Sequence, residues 1–196
     1  MIYATAIFLS ILGALFAGRC PYNGVRKLTS SANKETFLEC KPFQKNSCCT
    51  ADVDRSIHQF GQLKLDGTKW DLCGPLSKKC EAYFKRETCF YECSPDLEKY
   101  IVPFRKGTER YRGIPVCAES CDQWYEACRY DMTCAKNWIT GMKWRKSGNS
   151  CKEGQPCRTF EEMYGSGKAL CENIWWNTLV YVSGDKRTCH KIWPDV

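Results

Sequence analysis

The sequence is poor in histidine and lacks repeated Cys-x2-Cys pairs, and these absences exclude most metal and catalytic sites. Its 196 residues include only two histidines, His58 and His190. Tetrathiolate zinc sites would need repeated Cys-x2-Cys pairs, but the spacings here are Cys89-x3-Cys93, Cys117-x3-Cys121 and the adjacent Cys48 and Cys49. A Ser-His-Asp or Cys-His enzyme needs a histidine beside its nucleophile, and neither histidine has a recognisable motif around it. We therefore expect no metal site, no cofactor and no enzymatic activity.

The chain also has no internal repeat, no low-complexity linker and no cysteine-free half. Sixteen cysteines run from Cys20 to Cys189, and 43% of the residues are hydrophobic. A chain of this size supports one core but is short for two domains. We expect one disulfide-stapled domain from an oxidising compartment. Cys48 and Cys49 should bond to different partners because a ring between neighbours strains the disulfide, and counting alone leaves the other pairings open.

The first 18 residues contain no charged side chain. This apolar run is short for a membrane span, and the small residues Ala14, Ala17 and Gly18 suit signal peptidase. We expect a signal peptide over residues 1–18 and a mature domain over 19–196, with a signal anchor as the alternative. No hydrophobic tail for a GPI anchor follows Cys189. The expectation is a secreted protein with no transmembrane segment in the mature chain, and a cell-surface location only if the C-terminus is truncated and a GPI signal is missing.

The net charge of +7 is spread along the chain, with clusters at residues 143–146 and 105–112. These clusters would attract a polyanion, or they form an ordinary solvated face. An exported protein does not share a compartment with nucleic acid, so no nucleic-acid partner is expected. The sequence also contains no Asn-x-Ser/Thr acceptor for N-glycosylation.

Helical periodicity is clearest in three segments. Residues 76–92 place four side chains on one stripe: Cys80, Phe84, Glu87 and Tyr91. Residues 117–130 repeat the pattern with Cys117, Cys121, Trp124 and Cys128. A third helix is expected over residues 168–180, with Cys171, Trp175 and Thr178 on one face. Residues 20–56 are rich in turn formers, which favours loops with short strands.

The stripe that contains Glu87 and Tyr91 has two interpretations. A carboxylate one turn from an aromatic ring can accept hydrogen bonds from a flat heterocycle while the ring stacks on it. On pattern alone, the stronger interpretation places Tyr91 in the core and pairs Glu87 with Lys79, Lys85 or Arg86. The tryptophans likewise fit either the core or the wall of a cavity: Trp138, Trp144, Trp175 and Trp176.

Seven stretches of this sequence resemble the family of folate receptors and riboflavin-binding proteins, and the likeness covers Cys20 to Trp193. They are Asn46-Ser-Cys-Cys49, Trp70-x2-Cys-Gly74, Cys89-Phe-Tyr-Glu-Cys-Ser-Pro95, Ile114-Pro-Val-Cys117, Asp122-Gln-Trp-Tyr-Glu-Ala-Cys128, Cys134-Ala-Lys-Asn-Trp138 and Cys171-Glu-Asn-Ile-Trp175. The resemblance implies an α+β, helix-rich, disulfide-stapled single domain with short strands around a deep ligand pocket. It also implies eight disulfides: Cys20–Cys48, Cys40–Cys89, Cys49–Cys93, Cys73–Cys157, Cys80–Cys128, Cys117–Cys189, Cys121–Cys171 and Cys134–Cys151.

Carried over by position, the resemblance implies that Tyr91 and Trp175 sandwich the ligand ring, which reverses the core interpretation of both. Glu87 stands where folate receptors hold the pterin with an aspartate, and Thr178 replaces a pocket serine. The other implied pocket residues match less closely. Trp70, Trp138 and Trp144 are kept, Asp66 replaces a tyrosine, Met142 replaces a tryptophan, Ile139 and Thr140 replace a histidine and a lysine near the folate tail, and Arg105 and Arg110 align ambiguously with a basic segment there.

The resemblance implies an extracellular carrier or receptor-type protein for a vitamin with a planar heterocycle. Folate or another pterin is favoured over riboflavin, because a carboxylate suits the donor edge of a pterin and repels the carbonyls of a flavin. Other stretches look closer to riboflavin-binding proteins, notably Trp124-Tyr-Glu-Ala-Cys128 and Glu162-Met-Tyr164. A third hypothesis is a family member that lost vitamin binding and acts in cell or gamete adhesion. The expected partners are the vitamin and an uptake receptor at a cell surface.

Overall fold

Helices and short strands alternate through the residues that the computed structural model describes, which are 17–60, 67–184 and 188–194. The α-helices in this part are α1 (Ala51–Phe60), α2 (Lys78–Cys93), α3 (Ala118–Cys128), α4 (Trp138–Gly141), α5 (Phe160–Tyr164) and α6 (Gly167–Ile174). The strands are β1 (Ile101–Pro103), β2 (Glu109–Tyr111), β3 (Ile114–Cys117), β4 (Met132–Thr133), β5 (Lys143–Arg145), β6 (Gly148–Ser150), β7 (Arg158–Thr159) and β8 (Leu179–Val182). Most of the expected signal peptide lies outside the described residues.

The strands pair into two-stranded sheets that fasten loops together. Three pairs are antiparallel, β1 with β2, β4 with β7 and β5 with β6. The fourth pair is parallel and joins β3 to β8, with Ile114 opposite Leu179. These ladders are too short to form a layer of their own, so the helices and disulfides carry the architecture. The α+β, helix-rich fold class is confirmed.

The first two predicted helices are confirmed with small shifts at their ends. Helix α2 begins after Ser77, whose hydroxyl accepts a hydrogen bond from the backbone N–H of Cys80 at 3.3 Å, and this N-cap stabilises the first turn. The helix ends before Ser94 and Pro95, because proline disfavours helical backbone in the residue before it. Helix α3 lies within the predicted range and buries Trp124.

The third predicted helix is wrong in its second half. Helix α6 ends at Ile174, and Trp176 and Asn177 both adopt left-handed backbone, with φ values of 48° and 61°. The chain then enters β8, where Val180 and Val182 suit an extended conformation. Parallel pairing with β3 therefore overrides the helical spacing of residues 175–180.

The interpretation of residues 20–56 as loops with short strands is only partly right. Residues 17–50 contain isolated bridges, between Arg19 and Thr29 and between Ser31 and Ser47, but helix α1 begins at Ala51. Asp52 and Asp54 lie in the first turn of α1, where acidic side chains favour a helix N-terminus. Asp54 also accepts hydrogen bonds from the backbone N–H groups of Leu38, Glu39 and Cys40.

Eight disulfides cross-link the described chain, and they are the eight pairs that the resemblance implies. They are Cys20–Cys48, Cys40–Cys89, Cys49–Cys93, Cys73–Cys157, Cys80–Cys128, Cys117–Cys189, Cys121–Cys171 and Cys134–Cys151. As expected, the neighbours Cys48 and Cys49 bond to different partners, Cys20 and Cys93. These two disulfides fasten the N-terminal loop to the end of α2.

The core is built around Phe84 of α2. Its ring stacks on Trp138 at 5.3 Å between centroids and makes edge contacts with Trp124 and Phe160 at 5.3 and 6.1 Å. Burial of such large rings is the main stabilising contribution to a domain of this size. Across the described residues, no helix has the length and apolar character that crossing a membrane requires.

Candidate functional site

An open cavity of about 170 Å³ lies beside helix α2, and a larger outer chamber of about 550 Å³ adjoins it. Helix α2 contributes four residues to the inner cavity: Glu87, Thr88, Tyr91 and Glu92. Other segments contribute Thr68, Trp70, Ile139, Trp144, Trp175 and Thr178. The two spaces share Tyr91, Glu92, Ile139, Trp144, Trp175 and Thr178, so they form one pocket with a narrow interior and a wider mouth.

The helical period explains why α2 dominates the inner wall. Residues 87 and 91, and likewise 88 and 92, are four positions apart and therefore lie on one face. The sequence pattern identified the stripe through Glu87 and Tyr91 but missed Thr88 and Glu92. The sequence did contain a signal for Thr88 and Glu92, because each lies one position after a residue of that stripe.

Tyr91 and Trp175 border the cavity from two different elements. Tyr91 makes an edge contact with Tyr111 at 5.2 Å, and Trp175 makes one with Trp138 at 5.4 Å. Trp175 caps the end of α6 just before the left-handed turn. Its carbonyl oxygen accepts a hydrogen bond from the buried Thr178 hydroxyl at 2.7 Å. That bond ties the backbone of Trp175 to the turn. It also uses the donor of the Thr178 hydroxyl, which replaces the expected pocket serine.

Glu87 is buried in the cavity wall, with 3% of its surface exposed. Desolvation, with repulsion from Glu92, raises the pKa of Glu87 to about 8, so the carboxyl is largely protonated at neutral pH. The indole N–H of Trp175 lies near the carboxyl group and partly offsets the rise in its pKa. The buried indole nitrogen does not, however, make a well-formed hydrogen bond. The pattern-based pairing of Glu87 with a nearby lysine or arginine is wrong. Lys85 pairs with Glu81, and Arg86 lies over the rings of Tyr83 and Trp193.

Glu92, by contrast, has a cationic partner. Its Oε2 accepts a hydrogen bond from Arg26 Nε at 2.6 Å, and both side chains are almost fully buried. Arg26 also borders the outer chamber. Nothing in the sequence around Arg26 indicated this role, since the residue lies in a loop without periodicity. The Cys20–Cys48 and Cys49–Cys93 disulfides together fasten that loop to the end of α2.

The Trp70 segment is held in place by the β5–β6 hairpin. The Asn149 side chain accepts a hydrogen bond from Lys69 N at 2.6 Å and donates one to Lys69 O at 3.0 Å. Gly148 permits the close approach, since a Cβ at this position would lie 2.0 Å from the Gly67 carbonyl oxygen. Trp144 of the same hairpin borders both chambers and donates its indole N–H to Trp138 O at 2.9 Å.

Two predicted pocket residues lie in the core instead. Trp138 is 1% exposed, stacks on Phe84 and makes an edge contact with Trp175. Met142 is buried, and its Sδ lies 3.1 Å from Asn149 Nδ2. Packing between α4 and the hairpin turns both side chains away from the cavity that Ile139 borders. Asp66 falls outside the described residues.

Arg110 and Arg105 border the outer chamber with Phe104. The guanidinium of Arg110 lies 5.0 Å from the ring centroid of Phe104 and 4.5 Å from that of Trp176. The chamber also contains Glu109, whose carboxylate pairs with Arg19. The mouth of the pocket therefore combines cationic groups with aromatic rings.

The chain is similar to proteins of one known family. Residues 19–192 match the model of the Folate receptor family. Human "Folate receptor gamma" is 35% identical over 174 residues, which cover 86% of this chain and 70% of the relative. "Riboflavin-binding protein" of Gallus gallus is 38% identical over 138 residues, covering 70% of this chain and 56% of the relative. Human "Folate receptor alpha" is 33% identical over 162 residues, covering 80% and 62%.

The chain thus spans less than two thirds of the length of some of these relatives. The family match nevertheless covers almost all of the described residues. The helices, the short strands and the eight disulfides are consistent with it. This chain belongs to the folate receptor family.

Proposed function

We propose that this protein captures a vitamin with a planar heterocycle, without catalysis, by stacking the ring between Tyr91 and Trp175. One observation supports this most directly. Two aromatic side chains from separate elements border an open cavity that also contains a buried carboxyl group. Ligand pockets commonly combine apolar walls with a few polar groups and measure roughly 300–1,000 Å³. The inner cavity, at about 170 Å³, is smaller than this, but the outer chamber that continues from it, at about 550 Å³, lies in this range.

Folate or another pterin is the ligand that we favour. A pterin presents an amino group and a ring N–H side by side, and these two donors match the two oxygens of an ionised Glu87. Hydrogen bonds from these donors would stabilise the charged carboxylate and offset part of its burial. The cationic groups of the outer chamber, Arg105 and Arg110, would attract an anionic tail. The relatives named folate receptors support the same ligand class.

Riboflavin is the second candidate, and a specific observation favours it. With a pKa of about 8, Glu87 carries a proton at neutral pH and offers one donor and one acceptor. This pair matches the imide edge of a flavin, in which an N–H adjoins a carbonyl. The relative named riboflavin-binding protein supports this candidate. An adhesion module that lost vitamin binding is less well supported, because the cavity is open.

Titration of tryptophan fluorescence tests the proposal. Folic acid, 5-methyltetrahydrofolate and riboflavin are added in turn to the protein, in which Trp144 and Trp175 would report on the cavity. We expect saturable quenching and a higher melting temperature with at least one of them, because a ligand that binds only the folded state stabilises it. No quenching and no thermal shift with any of the three would refute vitamin capture.

We also propose that the protein works outside the cytoplasm. Eight disulfides in a domain of this size are typical of oxidising compartments. Expression with and without the first 18 residues, followed by immunodetection in cells and medium, tests this location and the expected signal peptide together.

A further inference from the structure

The Arg26–Glu92 ion pair lies against the ring that we expect to stack on the ligand. The guanidinium carbon of Arg26 is 4.8 Å from the Tyr91 ring centroid and 5.2 Å from that of Tyr111. Arg26 also donates a hydrogen bond from Nη2 to the Tyr91 carbonyl oxygen at 3.2 Å. One arginine therefore contacts both the backbone and the ring of Tyr91.

Arg26 covers one face of the Tyr91 ring. A guanidinium over one face of a ring blocks that face to any other stacking partner. Arg26 borders the outer chamber and not the inner cavity, whereas Tyr91 borders both. The inner cavity, with Glu87 and Trp175, therefore borders Tyr91 but not Arg26, and a ligand ring can stack on Tyr91 only where Arg26 leaves its face open.

A gain in stability does not explain why this ion pair is buried. Arg26 and Glu92 have side-chain exposures of 1% and 5%, so both groups give up nearly all of their hydration. Apolar residues of similar volume commonly serve a folded protein as well as a buried pair does, or better. What an apolar pair cannot do is hold a cation over the ring of Tyr91.

We propose that Arg26 is a positioning residue of the ligand site. It sets the orientation of Tyr91 and compensates the charge of Glu92, so that the cavity contains one uncompensated carboxyl group rather than two. Arginine keeps its charge across the physiological pH range, which makes this support independent of pH. The role in ligand binding rests on the proposed function, whereas the effect on Tyr91 does not.

The test replaces both partners at once, so that neither charge is left buried alone. Arg26→Met with Glu92→Leu keeps the volume and removes the pair. We expect a melting temperature close to that of the parent, but roughly tenfold weaker binding of whichever vitamin the parent binds. The control is Arg129→Met with Glu161→Leu, which removes an ion pair whose residues line neither chamber. This control should bind like the parent.

A ligand-free measurement separates this inference from the proposed function. In protein labelled with 3-fluorotyrosine, the ¹⁹F resonance of Tyr91, assigned through Tyr91→Phe, should shift in the double variant and not in the control. A folded double variant with an unchanged Tyr91 resonance and unchanged affinity overturns the positioning role. If the parent binds no vitamin, the proposed function fails, and the ¹⁹F shift alone decides the role of Arg26. If the double variant does not fold, Arg26→Lys serves, because it keeps the charge and loses the planar group over Tyr91.

Discussion

Glu87 and Glu92 lie five residues apart on helix α2, and both carboxyl groups are buried, but Arg26 pairs with Glu92 alone. Within residues 17–60, 67–184 and 188–194, no ion pair includes Glu87. Glu87 is therefore buried without a neighbouring cation, and this burial raises its pKa.

Replacing Glu87 with glutamine should remove a pH-dependent loss of stability. Burial raises the pKa of Glu87 from 4.5 to about 8, so between these values the folded state binds more protons than the unfolded state. The free energy of unfolding must then fall as the pH rises through this window. We expect Glu87→Gln to resemble the parent near pH 4.5 and to be more stable at pH 8, by on the order of 3 kcal/mol.

Urea unfolding at pH 5, 6.5 and 8 measures this difference. Glu81→Gln is the control, because Glu81 lies on the same helix with 44% of its side chain exposed and pairs with Lys85. A parallel pH dependence of Glu87→Gln and the parent would contradict the raised pKa.

Truncation of either ring of the proposed sandwich should weaken vitamin binding. Stacking of a base on an aromatic side chain contributes about 1–3 kcal/mol, so Tyr91→Leu or Trp175→Leu should lower the affinity roughly 5- to 150-fold. Isothermal titration calorimetry measures the change. Tyr130→Leu is the matched control, since Tyr130 is 73% exposed and does not border the cavity. Equal affinities in all four proteins would rule out stacking at these rings.

Removal of the Glu87 carboxyl should separate the two candidate ligands. Glu87→Ala should bind folic acid much more weakly than the parent does, because the donor edge of the pterin loses its acceptors. Riboflavin should lose less affinity, because its imide edge loses hydrogen bonds to a neutral carboxyl group, whereas the pterin loses stronger, charge-assisted ones. The comparison uses one titration series for each ligand, with Glu81→Ala as the exposed control. A folic acid affinity that survives the substitution would remove Glu87 from pterin recognition.

Substitution of Gly148 should loosen the Trp70 side of the pocket. Gly148 has a φ of 108°, and an added Cβ would lie 2.0 Å from Gly67 O, so the hairpin must move. We expect Gly148→Ala to lower the free energy of unfolding by more than about 2 kcal/mol. Gly154→Ala controls for backbone strain, because Gly154 also has a positive φ but no neighbour within 4 Å of the added Cβ. Equal losses in both variants would show that the contact with Gly67 is not responsible.

Loss of the Asp54 carboxylate should destabilise the N-terminal loop. Asp54 accepts three backbone hydrogen bonds, from Leu38, Glu39 and Cys40, at 2.7, 3.1 and 2.7 Å. Asp54→Ala leaves these donors without their acceptor and should cost about 3 kcal/mol in urea unfolding. Asp52→Ala, at a side chain with 84% exposure, should cost less than about 1 kcal/mol. Similar losses for the two variants would contradict the anchoring role of Asp54.

Helical spacing predicted α2 and α3 well because each has a repeating buried face within one continuous segment. The same reasoning failed beyond Ile174, where residues 175–180 follow the parallel ladder with β3 rather than their own period. Helix α1 was missed because its charged first turn, with Asp52 and Asp54, resembles a loop in composition. Long-range pairing and capping by distant backbone groups have no counterpart in local periodicity.

The amino-acid sequence by itself determined the two longest helices and the stripe that contains Glu87 and Tyr91, and its resemblance to a known family implied the disulfide framework. The helices and the stripe are encoded by spacings within single segments. Only the tertiary structure decided which carboxyl group of α2 acquires a cation, because Arg26 and Glu92 are 66 residues apart. It also decided that Trp138 and Met142 lie in the core while Trp144 borders the pocket, since the packing of α4 against the β5–β6 hairpin sets the direction of each side chain.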